Sequence, residues 1–358
     1  MEHPPAMSVE SYLRAAPKAE LHLHLEGSIQ PAMVLELARR NGRSLPSDSV
    51  EGLRRWFRYR DFPHFIEIYV AISECLRRSE DFELIVVGLA AELARQNARY
   101  AEVTFSPSTF ARRGVPYEVY FPGLARGRER ARVEHGVEIN WVFDIVRDAG
   151  PVREGETHWA DYTTGVAIDG MADGVVALGL AGKEEGNPAE LFAPWFERAV
   201  AAGLHRTPHA GEHTGPESVR AALEALGAER IDHGVRAIED PALVEELAAR
   251  RIPLDLCPTS NLCLGVYPSL AAHPLRRLHD AGVAITINSD DPPLFNTTLT
   301  DEVLGLHSAF GLDVDAVDEV LLNAVRGSFL SPEPKAQVEA SFRAEMAALR
   351  REHLPGGS

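Results

Sequence analysis

The clearest signal of the fold of this chain is the segment HRTPHAGEHTGPESVRAALEALGAERIDHGV (residues 205–235). Two short strand-like segments, RTPHA and RIDHG, flank ESVRAALEALGA, whose apolar residues recur with the spacing of an amphipathic helix. A strand, a helix and a second strand in this order favour parallel pairing of the two strands. The stretch therefore predicts one βαβ unit.

The same alternation recurs along most of the chain. Segments rich in Ala, Leu, Glu and Arg separate most of eight strand-like segments: LHLHL near 22, YAEVTF near 102, EINWVF near 140, VVALGL near 177, RTPHA near 208, RIDHG near 232, PLDLC near 255 and AITIN near 286. Eight such units in 358 residues favour a closed (β/α)₈ TIM barrel of the α/β class over an open sheet. We predict a single barrel domain over residues 1–358, with a helical insert at about 45–95 beside the mouth of the barrel.

Composition restricts the possible partners. The formal net charge of −17 repels phosphate backbones and anionic membrane surfaces, so we expect neither nucleic acid nor a membrane as a partner. Three cysteines favour a reducing compartment, and the segment MEHPPAMSVESYL has no signal-peptide pattern. We expect a cytoplasmic protein that acts on a small molecule. The sequence leaves its oligomeric state open.

Side chains that can bind metals or carry protons fall near the ends of the predicted strands. The C-terminal ends of the strands of a TM barrel converge on one mouth, where active sites are built. Residues far apart in the sequence therefore meet there. They are His22, His24, His209, Glu212, His233, Asp290 and Asp291.

Four of these side chains predict a zinc site. His22 and His24 alternate along one strand, so both imidazoles point to the same side. Together with His209 and the Asp290 carboxylate they make three nitrogen ligands and one oxygen ligand, which suits one Zn²⁺ per chain and leaves a position for water. A lone HxH pair in a strand is more often structural, so the hypothesis rests on the combination of the four residues.

The remaining side chains predict the proton transfers of a hydrolysis. Glu212, three residues after His209, is the candidate for a proton shuttle at a ring nitrogen. His233 can orient or deprotonate the attacking water beside Asp290. Asp291 diverges from its neighbour Asp290 and is better placed to meet the substrate.

With these residues identified, the chain resembles the adenosine deaminase family of the amidohydrolase superfamily. The resemblance rests on PKAELHLHLEGS (17–28), FSPS (105–108), LGLAGKEEG (178–186), HRTPHAGE (205–212), ERIDHGV (229–235), CPTSN (257–261) and INSDDPPLF (287–295).

The resemblance implies a role for each of the singled-out residues. It implies that His22, His24, His209 and Asp290 hold one zinc ion. It further implies that Glu212 protonates purine N1 and that His233 and Asp290 position the oxygen that attacks C6. Asp291 is then expected at N7, and the Gly182 backbone at N3. Lys183 follows the glycine in AGKEE and is interpreted as a loop lysine rather than as the bridging lysine of two-metal relatives.

The substrate class is less determined. Glu26 stands in HLHLEG where common adenosine deaminases have an Asp that meets the ribose, and adenine deaminases also carry Glu there. The segments PHAGEHTGPESV, CPTSN and INSDDPPLF are most similar to the aminodeoxyfutalosine deaminases of the alternative menaquinone pathway. We therefore expect deamination of 6-aminodeoxyfutalosine, adenosine or both.

Three alternatives stay open at this point. They are a free adenine deaminase, a different amidohydrolase-type hydrolase with two metals, and a non-catalytic barrel. For the nucleoside hypothesis, the insert supplies aromatic and basic candidates for a pocket around the 5′ group: Trp56, Phe57, Arg58, Arg60, Phe62 and Phe65.

Overall fold

The structure is a computed structural model, and it describes residues 7–60, 62–149, 155 and 157–354. Eight parallel strands form one sheet in which neighbours in sequence are neighbours in space. The strands are β1 Lys18–His24, β2 Ala98–Phe105, β3 Glu138–Val146, β4 Val175–Ala181, β5 His205–Ala210, β6 Ile231–His233, β7 Leu254–Leu256 and β8 Ile285–Ile287. Each coincides with a predicted segment, and the (β/α)₈ barrel is confirmed.

The barrel closes between its last and first strands. The amide of His24 donates to the carbonyl of Asp290 at 3.0 Å, and the amide of Asp290 donates to the carbonyl of His22 at 3.2 Å. The side chain of Asn288 also accepts a hydrogen bond from the amide of Leu21 at 2.8 Å. Closure therefore brings the HLH segment against the SDD segment, although nearly the whole chain separates them.

Helices surround the strands. They are α1 Val9–Ala15, α2 Pro31–Arg40, α3 Val50–Trp56, α4 Phe62–Ser73, α5 Ser79–Arg95, α6 Pro107–Ala111, α7 Tyr117–Arg130, α8 His158–Asp169, α9 Ala193–Ala202, α10 Pro216–Ala225, α11 Pro241–Arg250, α12 Pro258–Cys263, α13 Leu275–Asp280, α14 Pro292–Phe295, α15 Leu299–Ser308, α16 Val314–Gly327 and α17 Pro332–His353. Within the described ranges, none of them combines the length and the apolar character needed to cross a membrane.

Local sequence explains where these helices begin. In α11, for example, the Asp240 carboxylate accepts from the amides of Ala242 and Leu243, and Pro241 occupies the first turn, where no amide donor is needed. Such a cap satisfies backbone donors that the helix itself leaves unpaired. Several helices that directly follow a strand start with proline in the same way, so each strand end turns sharply into a helix.

Helices α3 and α4 reach the mouth of the barrel. Phe65 of α4 stacks on Phe295 of α14 with ring centroids 5.5 Å apart, and Tyr59 packs edge-on against both rings. Because α14 directly follows the SDD segment after β8, this contact places the region between α3 and α4 beside the converging strand ends.

Candidate functional site

The four residues proposed as metal ligands converge at the mouth. Nε2 of His24 lies 3.3 Å from Nε2 of His209 and 3.3 Å from Oδ1 of Asp290, and Nε2 of His22 lies 3.5 Å from the same oxygen. One ligand nitrogen from each of the three histidines falls within 4.8 Å of the others. Ser260 donates to the second Asp290 oxygen at 2.6 Å, which fixes the orientation of the carboxylate.

Two residues of the cluster have a strained backbone conformation. His233 and Asp290 have φ angles of +64° and +63°, a left-handed conformation that is rare outside glycine. Both residues lie at the ends of strands and both turn their side chains into the same cluster. Strain of this kind persists where the surrounding structure imposes it, often at functional sites.

The chemistry of the donor set fits a divalent cation. His22 is fully buried, and neither of its ring nitrogens has a hydrogen-bond partner among the described residues. Several buried carboxyl groups surround it, and a cation would balance their charge. Cys257 also approaches His22 and His233, but burial raises the pKa of its thiol well above its usual value, which disfavours the thiolate that binds metals.

Asp232 lies behind two of the imidazoles. Its carboxylate is 3.2 Å from Nδ1 of His209 and 3.9 Å from Nδ1 of His22, and it accepts a hydrogen bond from Thr207 at 2.7 Å. An acceptor at Nδ1 places the ring proton there and leaves Nε2 free to face the cluster. Asp232 therefore orients the His209 ring with Nε2 towards the cluster, whereas at 3.9 Å it makes only an electrostatic contact with the His22 ring.

Glu212 and His233 lie side by side next to Asp290. Nε2 of His233 is 3.7 Å from Oε1 of Glu212 and 3.9 Å from Oδ2 of Asp290. Burial alone would raise the pKa of Glu212, but His233 and His213 lower it to about 2, so this buried side chain is a carboxylate at neutral pH. Burial lowers the pKa of His233 to about 4, so its imidazole is neutral.

A hydrogen-bonded chain determines the tautomer of His233. Nε2 of His273 lies 3.0 Å from Oδ1 of Asn261, and Nδ2 of Asn261 lies 3.4 Å from Nδ1 of His233. With the amide in this orientation, Asn261 donates to Nδ1 of His233. The proton of the neutral ring is then on Nε2, which faces Glu212 and Asp290.

Asp291 is packed over a glycine on the opposite side of the mouth. A Cβ atom at Gly27 would lie 1.5 Å from Oδ1 of Asp291, so only glycine leaves room for this carboxyl group. Burial and the adjacent Asp290 raise the pKa of Asp291 well above its usual value. A protonated carboxyl group can donate a hydrogen bond to an acceptor such as a ring nitrogen.

Two further buried acids, Glu26 and Asp144, lie at the ends of β1 and β3. Glu26 is fully buried and accepts from the amide of Ser106 at 3.2 Å, while the Ser106 hydroxyl donates to Asp144 at 2.7 Å. Burial and the charge of Asp144 raise the pKa of Glu26 to about 8. One oxygen of Glu26 and one of Asp144 have no hydrogen-bond partner within the described part of the chain, so both atoms are available to hydrogen-bond a substrate.

The loop after β4 contains Gly182 and Lys183, and their surroundings differ. Gly182 has a φ of +86°, and a Cβ atom there would lie 2.6 Å from a carboxylate oxygen of Asp148. Lys183 is exposed and pairs with Glu185 at 3.4 Å. Its ammonium group therefore points away from the histidine cluster, as expected of a loop lysine.

The residues proposed for the 5′ pocket are divided between the core and the rim. Phe57 and Phe65 are buried, Trp56 is half-buried, and Arg58 and Arg60 are exposed. The Phe62 side chain lies outside the described residues. Tyr59 lies between the two arginines in sequence, and its ring packs against Phe65 and Phe295 beside the mouth. Burial and the neighbouring Cys263 raise the pKa of its hydroxyl.

Sequence reasoning missed several residues of this cluster. Each lies at or beyond the C-terminal end of a predicted strand, and that position is the only signal in the sequence that could have marked them. Position alone does not separate them from exposed neighbours such as Lys183. They are Ser106, Asp144, Glu184, Asp232, Ser260 and Asn261.

Comparison with known proteins identifies the family of this chain. A family model described as adenosine deaminase matches residues 17–343. The aminodeoxyfutalosine deaminase of Streptomyces avermitilis is 41% identical over 343 residues, covering 95% of this chain and 94% of that protein. The adenine deaminase of Cupriavidus necator is 40% identical over 325 residues, covering 91% of each chain.

A solved structure extends the likeness to the fold. A Burkholderia ambifaria amidohydrolase with bound Zn superposes with a TM-score of 0.86 at 25% identity, covering 99% of this chain and 96% of that chain. The family model and the sequence relatives lead to one conclusion: the chain belongs to the adenosine deaminase family and is a hydrolytic deaminase.

Proposed function

We propose that this protein removes the 6-amino group of an adenine nucleoside by zinc-dependent hydrolysis, with 6-aminodeoxyfutalosine as the first candidate substrate and adenosine as the second. The observation that carries the proposal is the meeting of His22, His24, His209 and Asp290 beside the buried carboxylate of Glu212. These four residues would hold one zinc ion, which would lower the pKa of a water ligand to near neutrality.

The surrounding residues suit the proton transfers of this reaction. Water adds to C6, and the products are the 6-oxo purine and ammonia. Glu212 starts as a carboxylate, so it can accept a proton from water and deliver it to N1. His233, with its proton on Nε2, orients the attacking oxygen by donating a hydrogen bond rather than acting as a base.

The same cluster provides contacts for the rest of the purine. Asp291, with a raised pKa, can donate to N7. Gly182 follows β4, the neighbour of β5, so its backbone can approach N3, which C2 separates from N1. Ser106 and Glu26 follow β2 and β1, further round the mouth from Glu212, where N9 would lie. The unpartnered carboxyl oxygens of Glu26 and Asp144 can then hydrogen-bond ribose hydroxyls.

The proposed preference for a nucleoside over free adenine also rests on the residues at the rim of the mouth. Tyr59 and Phe65 form an apolar wall with Phe295, and the exposed Arg58 and Arg60 are neighbours of that wall in sequence. An apolar wall with nearby guanidinium groups suits a 5′ extension that carries a benzoate. Free adenine is the alternative, because the two kinds of relative are nearly equally similar and the fully buried Glu26 can also accept from N9–H.

Substrate comparison tests this choice. We expect kcat/KM for 6-aminodeoxyfutalosine to exceed that for adenosine by at least about tenfold, since one added contact of ~1.4 kcal/mol has that effect. Arg58→Ala or Arg60→Ala should reduce the ratio and leave adenosine turnover nearly unchanged. Arg54→Ala, an exposed arginine on α3, is the matched control. Equal values for the two nucleosides would contradict the extended pocket, and a preference for adenine would establish the alternative.

Asp232→Asn tests the orientation of the imidazoles. We expect zinc affinity to fall by about 10–100-fold, because the neutral amide supports the Nδ1 proton of His209 less well than the carboxylate and removes a negative charge beside His22. Competition with a chelator measures the affinity without any substrate. Asp169→Asn, at an exposed position near the end of α8, controls for a change of charge. Unchanged affinity in Asp232→Asn would show that His209 holds its orientation without this carboxylate.

A further inference from the structure

Glu184 is a buried acid that the proposed reaction does not use. It lies in the loop after β4, between Lys183 and Glu185, which are both exposed and pair with each other. Only 5% of Glu184 is exposed. The loop therefore turns its central carboxylate inward, towards β5 and the segment that follows it.

The carboxylate binds the backbone on both sides of the proposed proton shuttle. Oε1 accepts from the amide of Glu212 at 3.0 Å, and Oε2 accepts from the amides of Gly211 at 3.2 Å and Thr214 at 3.4 Å. The Thr214 hydroxyl also donates to Oε2. One side chain thus satisfies three backbone donors in a segment of four residues.

Arg147 holds the preceding part of the same segment. Its buried guanidinium donates to the carbonyl of His209 at 2.5 Å and to the carbonyl of Asn187 at 2.6 Å. Gly211, with a φ of +65°, makes the turn between these two anchors, and a Cβ atom there would lie 2.4 Å from Val219. The loops after β3 and β4 therefore determine the path of the chain from His209 to Thr214.

Glu212 needs such support because its surroundings are acidic. The charge of Asp290 opposes its carboxylate, and only about a tenth of its side chain is exposed. A free segment would let this side chain move away from Asp290 and out of reach of a substrate. Displacement of a reacting group by about 1 Å can lower the rate about 10²-fold.

We propose that Glu184 is a positioning residue for the deamination, acting through Glu212 by holding residues 211–214 in place. The inference rests on the proposed role of Glu212. It assigns to the loop after β4 a part in turnover that is separate from metal binding, because the hydrogen bonds of the Glu184 carboxylate go to residues 211–214 and to none of the four proposed ligand side chains.

The first test uses hydrogen exchange and needs no substrate. In Glu184→Gln the amide nitrogen replaces one acceptor oxygen, so the amides of residues 211–214 should exchange faster by about tenfold or more. Glu185→Gln, one position away and exposed, should leave their exchange unchanged. Unchanged exchange in Glu184→Gln overturns the proposal, whatever the activity of the protein.

The second test asks whether the effect passes through Glu212. We expect Glu184→Gln to lower kcat by about 10–100-fold with KM nearly unchanged and zinc content retained. In the Glu212→Gln background the same substitution should cause no further loss, because the group that it positions is already absent. Losses that multiply in the double variant, or a loss of zinc from Glu184→Gln, would overturn the proposal in favour of a purely structural role.

Two further variants separate the possible failures. Glu184→Asp keeps the charge on a shorter side chain and should recover part of the kcat that Glu184→Gln loses. This variant also keeps the proposal testable if Glu184→Gln folds poorly. A folded Glu184→Asp variant with no recovery of kcat counts against the proposal. If Glu212→Gln itself turns over normally while Glu184→Gln exchanges faster, the role of Glu212 fails and Glu184 only holds the loop.

Discussion

Replacement of Glu212 by Gln is expected to lower kcat by about 10²–10⁴-fold, the usual contribution of a general acid–base group. Gln has nearly the same shape, so the buried position next to His233 is kept, but the amide cannot take a proton from water and pass it to N1. Steady-state release of ammonia from the preferred substrate measures the loss.

The comparison needs proof that the variant is intact. Zinc content and thermal unfolding of Glu212→Gln should match those of the unmodified protein, and Glu224→Gln, at an exposed position on α10, should retain full activity. A Glu212→Gln variant that holds zinc and turns over at a near-normal rate would exclude Glu212 as the proton shuttle.

His209→Ala is expected to remove most of the bound metal, and with it the activity. The unmodified protein should contain about one equivalent of zinc, since three imidazoles and one carboxylate suit this ion and leave one coordination position open. Loss of one imidazole leaves His22, His24 and Asp290 as an incomplete set. Elemental analysis of purified protein gives the stoichiometry directly.

Thermal unfolding provides a second measure that does not depend on catalysis. A ligand that binds only the folded state raises Tm, so zinc should stabilise the metal-free unmodified protein and leave His209→Ala almost unaffected. His307→Ala, at an exposed position on α15, should behave like the unmodified protein. Full zinc occupancy in His209→Ala would exclude His209 from the ligand set, and two equivalents in the unmodified protein would favour a two-metal hydrolase.

The barrel could be predicted because its signal is local and repeated. Each strand-like segment carries its own apolar pattern, and the intervening helices carry theirs, as in ESVRAALEALGA of α10. Parallel strands joined by helices have few ways to arrange themselves, so eight repeats suffice to favour closure. The positions of His22, His24, His209 and Asp290 near strand ends then implied that they meet.

The contacts between loops could not be predicted in this way. Glu184 and Lys183 are adjacent in sequence, yet one is buried against residues 211–214 and the other is exposed. Nothing in AGKEEG indicates which side chain turns inward and which turns to solvent, because a loop has no repeating period that assigns side chains to a face. Likewise, Ser106 after β2 hydrogen-bonds to both Glu26 after β1 and Asp144 on β3, a contact that only the assembled sheet brings about.

By itself, the sequence determined the strand and helix order, the identity of the polar groups at the strand ends and the family, because these depend on local periodicity and on short motifs. Only the tertiary structure decided which carboxylate orients His209, which amide sets the tautomer of His233 and which acid holds the Glu212 segment. Asp232, Asn261 and Glu184 reach these partners from other strands. Such contacts depend on how the strands are staggered when the barrel closes, and strand stagger is a property of the whole sheet rather than of any one segment.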